Sequence, residues 1–552
     1  MSVGTGSGIA DPIRHVVVLM LENHSFDQML GCFKQVYPEL EGVDPAALHE
    51  NVDSEGRVYR QQETTERIMF LDPHHEVPHV AVQLSNGNTG FVRDFESAFG
   101  GSSPQARSYV MGYYPLDFLP GLHTLARHFT ICDCWFSSLP GPTWPNRFFA
   151  LTGTSNGRVN MPDDGTHKQD LPGFFQQTQD TLFDRLNDRG IHWKVYFHDI
   201  PQTTVLTNQR EPHNVARYFY IDEFFDDARG REEEFPQFSL VEPAYTARAE
   251  NDDHPPHDIM RSQKLVADVY NSIRANEALW QSTLLIVFYD EHGGFYDHVE
   301  PPGAVRPDDH TEEFTFDRLG VRVPALLISP WVDARVESTL FDHTSVLRYL
   351  TDKWGLGPLG SRTAAANSIA AGLTREVARE DGPLGIELIS EQLRPPDPRL
   401  EEEAFGYDSA HQKALHVLTA YLKAEGAEQV PRLWAILARG IECAKGLAER
   451  ILAYSYDEAS LLRASIAEPD KLTNDEDAIA RDNVARFIMR KKRYAVVGLQ
   501  TRLADATLTP EQRLHSLHTL ALITGRQFHR EDAEGGVSQA RDWLRQHVDR
   551  LS

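Results

Sequence analysis

Cysteine is scarce in this chain: Cys32, Cys132, Cys134 and Cys443 are the four in 552 residues. That number excludes a disulfide framework. Cys132 and Cys134 are one residue too close for a CxxC redox pair and lack the matching second half of a zinc site, so the thiols are read as buried and the compartment as a reducing cytoplasm. Long apolar runs are missing too. The longest, residues 16–21 (VVVLML) and 284–288 (LLIVF), fall far short of the ~20 needed to cross a bilayer. The amino-terminal segment shows neither a basic stretch leading into an apolar one nor a twin-arginine pair, so no secretory signal is expected. Positive charge is in deficit: 54 Lys and Arg stand against 81 Asp and Glu, a formal net charge of −27. A surface of that sign repels phosphate backbones and excludes a general nucleic-acid coat. Any phosphate handled here needs local positive charge, most simply a metal ion.

What is present reads as a globular α/β protein. Short β-rich runs at 16–20, 193–197, 284–289 and 324–328 alternate with helical stretches to about residue 355. That alternation predicts a mostly parallel sheet sandwiched by helices. Between residues 50 and 100, and again between 199 and 256, the periodicity fades into long acidic connections containing Pro and His, of the kind that carry sites. Near Pro395 the sequence RPPDPRLEEE reads as a linker, which divides the chain into residues 1–395 and a helical carboxy-terminal domain of 396–552. There Leu433, Leu437, Ile441, Ala444, Leu447 and Ile451 recur at helical spacing, with similar patterns over 478–503 and 510–523. Those helices offer an oligomerisation surface. The basic cluster Arg490, Lys491, Lys492 and Arg493 is read as a solvated face, with peripheral contact to an anionic membrane as the alternative.

Four segments carry chemistry. After the first apolar run come Glu22, Asn23, His24 and Ser25, delivered to the carboxyl edge of the sheet, where open α/β folds bind ligands; the same letters also spell a helix cap. The run ending at Tyr289 empties into Asp290 and Glu291, then into the pair Gly293 and Gly294. Two adjacent acids repel one another unless a cation intervenes, and with Glu22 and Asn23 they make a hard oxygen set suited to Mg, Mn or Ca, with Zn also acceptable. The turn Pro140-Gly141-Pro142-Thr143-Trp144-Pro145 is expected to hold Thr143 in a stiff, non-helical conformation that presents its hydroxyl. A metal activates such a hydroxyl as it activates water. The loop 251–258 (NDDHPPHD) offers His254 to hydrogen-bond phosphate oxygens or to protonate a leaving group, and His257 equally.

In this order the segments resemble the bacterial phospholipase C and acid phosphatase family, which includes the plant non-specific phospholipases C and is a branch of the alkaline phosphatase-like superfamily. The resemblance rests on residues 13–27, 133–147, 241–243, 252–255, 289–298 and 319–331, and spans about residues 12–355. It implies an alkaline phosphatase-like phosphoesterase domain with one divalent metal ion, Ca, Mn, Mg or Zn, held by Glu22, Asn23, Thr143, Asp290 and Glu291. It also implies a phospho-threonine intermediate on Thr143, and substrate contacts from His254 and His75. His198 and Asp199 stand where the family places a glutamine-asparagine pair, so Asp199 is expected to meet another part of the substrate, such as an amine. The implied reaction is phospholipase C cleavage of a phosphatidylcholine-like phosphodiester. The alternatives are an acid phosphatase acting on soluble phosphomonoesters and a non-catalytic scaffold.

Overall fold

The apolar runs become strands because each is long enough to be buried on both faces. In chain order the central sheet contains β1 (His15–Leu21), β2 (Thr130–Cys132), β3 (Trp193–Phe197), β4 (Tyr218–Tyr220), β5 (Phe238–Val241), β6 (Thr283–Tyr289), β7 (Ala325–Ile328) and β8 (Val336–Glu337). The computed structural model describes residues 11–69, 71–162, 174–246, 250–311, 314–393 and 410–424, with a few separate positions beyond. Within the sheet the strand order is β8-β2-β7-β6-β1-β5-β3-β4. β1 lies parallel to both β5 and β6, β5 to β3, β3 to β4 and β8 to β2. β7 alone runs against its neighbours β6 and β2. The sheet is therefore mixed and mostly parallel, as the alternation of runs predicts.

Two segments that read as long connections are more structured than expected. Residues 199–256 contain β4 and β5, and β5 is a central strand beside β1. Its four residues, FSLV, are too short to show a period, and its burial comes from neighbours distant in sequence. Residues 50–100 likewise hold a small hairpin, Glu50–Val52 with Val58–Arg60, and the helices α1 (Val77–Gln83) and α2 (Phe91–Ala98). Further along come α3 (Pro120–His128), α4 (Thr143–Thr152), α5 (Ile259–Arg274), α6 (Thr344–Trp354) and α7 (Ala410–Ala424). α3 and α5 pack on each other and on the sheet, while α6 packs on α4.

The chain divides into two compact units, one of residues 1–245, 250–394 and 413–433 and one of 246–249, 395–412 and 434–552. The sheet belongs to the first. The helical patterns over 478–503 and 510–523, the basic cluster at 490–493 and Cys443 lie outside the described residues, apart from buried single positions such as Leu503, Leu517 and Leu520. Cys32 and Cys132 are buried free thiols and Cys134 is half-buried. Burial pushes the Cys32 thiol up to about 12, so it stays protonated. Among the described residues no helix is long and apolar enough to cross a membrane.

Candidate active site

Parallel pairing of β1 with β6 sets Leu21 opposite Tyr289, and the Asp290 amide donates to the Leu21 carbonyl at 3.1 Å. Both strands therefore empty at one edge, where Glu22 and Asn23 meet Asp290 and Glu291, all fully buried. The Glu22 amide donates to the Asp252 carbonyl at 2.9 Å, which ties in the 251–258 loop. Asn23 adopts a left-handed conformation, φ 70°, that asparagine tolerates better than most residues. Its Nδ2 donates to Asp72 Oδ1 at 3.3 Å. The glycine pair makes this junction feasible. A Cβ on Gly293, itself at φ +63°, would lie 2.1 Å from the Asn23 carbonyl oxygen, and one on Gly294 would lie 2.7 Å from that of His74. Capping falls one step later, to Ser25, whose side chain accepts from the Gln28 amide and opens a short helix. Glu22 and Asn23 are left to the sheet edge.

Thr143 departs from its expected conformation. It is the first residue of α4 rather than part of a non-helical turn, with Pro142 as the cap. Pro145 does not break the helix because the first-turn amides have no intrahelical acceptor to lose. The turn before it is organised by Asn146, whose Nδ2 donates to the Leu139, Gly141 and Pro142 carbonyls while its Oδ1 accepts from the Leu139 amide. Arg362, also buried, donates to the Ser138 carbonyl at 3.0 Å. Thr143 is 1% exposed and sits at the positive end of a ten-residue helix, where negative charge is favoured.

Arg147 lies one turn further along the same face of α4, and sequence reasoning gave it no role. Its Nη2 donates to Glu22 Oε1 and its Nε to Asp290 Oδ2, each at 2.9 Å. A lone arginine reads as surface; the available signal was its i, i+4 relation to Thr143. Behind it, Tyr245 OH lies 3.4 Å from Nη1. Glu242, which accepts from the Gln202 and Thr203 amides, is pushed up to about 7 by burial against the pull of Arg147.

The histidines frame the opposite side. His75 Nε2 stands 3.9 Å from Glu291 Oε1, and its Nδ1 donates to the Pro73 carbonyl. Burial alone would lower it, but the carboxylates of Glu291, Asp72 and Glu76 outweigh that and hold it up to about 10. The His254 ring is 6.0 Å from that of His75 and fully buried. Its Nδ1 donates to the Pro255 carbonyl, so Nε2 carries the lone pair, and that atom has no hydrogen-bond partner. Burial brings His254 down to about 3. The ring is neutral and presents an acceptor, so it can act as an acid only after it has taken a proton. His257 is clasped instead by Asp252 and Glu250. His343 donates from Nε2 to the Asp290 carbonyl while Trp135 donates to its Nδ1, which buttresses the acid pair from behind. Asp199 accepts the Ile200 amide on Oδ1 and the Tyr245 amide on Oδ2, so both oxygens hold the backbone of the turn.

Arg322 closes a second buried ion cluster beneath this edge, donating to Asp27 and Asp297. His298 Nδ1 donates to Asp27 at 2.8 Å. Burial alone would lower His298, but Asp27 and then Asp297 hold it up to about 9. A histidine raised above its unfolded value of ~6.5 contributes stability that is complete below that value and is lost as pH rises through about 9. The melting temperature should therefore fall between pH 7 and pH 10. His298→Gln should flatten that part of the curve, and an unchanged slope would remove His298 as its cause.

The donor set at the first edge fits a divalent cation. Its members are three carboxylates and an amide, hard oxygens throughout, and Asn23 Oδ1 and Glu291 Oε1 are buried without a hydrogen-bond partner. Burial raises Glu22 against the pull of Arg147, and burial, with the neighbouring Asp290 adding to it against the pull of His75, pushes Glu291 up to about 8.

The profile of the Phosphoesterase family matches residues 13–357. Non-specific phospholipase C3 of Arabidopsis thaliana is 33% identical over 70% of this chain and 78% of its own length. Phospholipase C A of Mycobacterium tuberculosis is 29% identical over 67% of this chain and 78% of its own. Among solved structures, a protein of the alkaline phosphatase superfamily from Vibrio parahaemolyticus aligns at 14% identity with a TM-score of 0.27, covering 71% of this chain and 96% of that one.

Proposed function

Since the chain belongs to the Phosphoesterase family and is a phosphoric ester hydrolase, we propose that it is a metal-dependent phospholipase C that cleaves a phosphatidylcholine-like phosphodiester through a phospho-threonine on Thr143. The observation that carries this reading is Arg147, which ties Glu22 from the end of β1 and Asp290 from the end of β6 to the helix that begins with Thr143. Glu22, Asn23, Asp290, Glu291 and the Thr143 hydroxyl would hold the cation, which when bound draws charge from the phosphoryl oxygens and favours the threonine alkoxide.

Thr143 Oγ1 attacks phosphorus in line with the departing alcohol oxygen, forming the new O–P bond as the P–O bond to diacylglycerol breaks. His254 takes the Thr143 hydroxyl proton at Nε2 and gives it to that leaving oxygen, while the Pro255 carbonyl keeps Nδ1–H in place. Protonated His75, beside Glu291, donates to a phosphoryl oxygen and offsets its charge. Water then attacks the phospho-threonine, forming an O–P bond as the bond from phosphorus to Thr143 Oγ1 breaks, and the proton that the water gives up passes to Oγ1. Asp199 holds the turn after β3 and enters no step.

The discriminating measurement compares hydrolysis of p-nitrophenyl phosphorylcholine with that of p-nitrophenyl phosphate by the metal-loaded protein. The expected result is at least a tenfold higher kcat/KM for the diester. A preference for the monoester would make this a phosphatase on the same site, and turnover of neither, in micelles or free, would leave a scaffold.

A further inference from the structure

We infer that His74, Glu76 and His79 form a second metal site, for a zinc-like divalent transition ion, separate from the carboxylate edge. One donor atom from each of these residues lies within 4.8 Å of the others. Two imidazoles and a carboxylate are a donor set for zinc-like ions, and three protein ligands leave a position for water. A tetrahedral ion with bonds of about 2.1 Å sets its donors about 3.4 Å apart. The side chains, 37%, 39% and 32% exposed, have the freedom to close that distance and the access to admit an ion.

The surroundings of the three residues are organised for ligation. Asp94, on α2 and 2% exposed, accepts from His79 Nδ1 at 2.7 Å. A carboxylate here can only accept, so the proton sits on Nδ1 and Nε2 carries the lone pair, the arrangement that orients metal-binding histidines. Gln83 fixes Asp94 in turn: its Nε2 donates to Asp94 Oδ2 at 2.8 Å and to the His74 carbonyl at 2.7 Å. Glu76 caps α1, and the His79 amide donates to its carbonyl at 2.9 Å, so one turn of backbone fixes the spacing of two ligands. The rings of His74 and His79 lie 4.3 Å apart.

Among the described residues the other cluster of this size, Asp27, Asp297 and His298, lacks that character. Arg322 and backbone amides already occupy its carboxylate oxygens. A bound ion at His74, Glu76 and His79 would clamp the segment that carries Asp72 and His75.

Zinc(II) titration of the full chain, read by equilibrium dialysis with elemental analysis, tests the site without reference to activity. Wild type should hold one zinc more per chain than His79→Ala or Glu76→Gln, whatever the carboxylate edge binds. Asp94→Asn keeps all three ligands and should weaken that extra zinc about 10- to 100-fold. Cobalt(II) in place of zinc should give a visible absorption band that His79→Ala loses. Circular dichroism checks that each variant is folded. Equal stoichiometry in wild type and in both folded ligand variants overturns the inference. So does an extra zinc that Asp94→Asn leaves unchanged together with a cobalt band insensitive to His79→Ala.

Discussion

Thr143→Ala is expected to lower kcat/KM by about 10⁴-fold, or about 5.5 kcal/mol of transition-state stabilisation. On the proposed covalent route this removes the protein atom that bonds to phosphorus and leaves water as the attacking group, held by whatever orientation the remaining donors provide. The fold should survive. Thr143 opens α4, where alanine is at least as good a helix former, and the turn before it is held by Asn146 and Arg362 rather than by the threonine hydroxyl. A change in melting temperature of a few degrees is the expected structural cost. Thr143→Ser keeps the hydroxyl and should retain activity within about 100-fold of wild type. Acid quenching during turnover should trap phosphate on residue 143 in wild type and in the serine variant, and none in the alanine variant. Retention of a tenth of wild-type activity by Thr143→Ala would sink the covalent route while leaving the family assignment untouched.

The parts of the site that were legible before the structure are those written in continuous stretches. β1 and β6 are seven-residue strands buried at every position, so their ends mark where Glu22 and Asp290 must emerge, and the neighbouring parallel register makes those ends coincide. Short elements gave no such signal. β5 lies beside β1 in the sheet, yet its four residues sit in an acidic stretch, and what makes them a strand is their pairing with β1 and β3. Thr143 was expected in a non-helical turn and instead opens α4, because a proline two positions later reads as a breaker unless the helix is known to begin at Thr143. Asp199, expected to meet a substrate amine, accepts an amide on each oxygen, a use of short acids at turns that the sequence pattern does not distinguish from a binding role. The tautomer of His254 follows from a carbonyl contact that only coordinates reveal.

Arg147→Met should be the most damaging single substitution for stability at the site, costing about 3–5 kcal/mol in metal-free protein. Arg147 is 5% exposed and its guanidinium is shared by two carboxylates from the ends of different strands, so its removal takes away the positive charge that bridges Glu22 and Asp290. Lysine cannot replace it: a single ammonium reaches one acid well, whereas the fork reaches both, so Arg147→Lys should recover part of the loss and still misplace one acid. Two consequences separate this account from simple loss of packing. Burial already raises Glu22, with Arg147 the main force opposing that rise. A carboxyl whose folded pKa lies above its unfolded value gains stability as pH falls, so the Arg147→Met deficit should shrink between pH 7 and pH 5. A bound cation acts in the same sense as a proton here. Wild type meets a divalent ion with the Arg147 charge already offsetting part of the negative charge, whereas the variant has lost that share, and binding to the folded state alone adds stability as RT ln(1 + [L]/Kd). Millimolar calcium, manganese or magnesium should therefore raise the melting temperature of Arg147→Met more than that of wild type. Equal shifts in the two proteins would mean that the carboxylate edge is not where the cation binds, and a deficit independent of pH would mean that Arg147 acts by filling space rather than by charge.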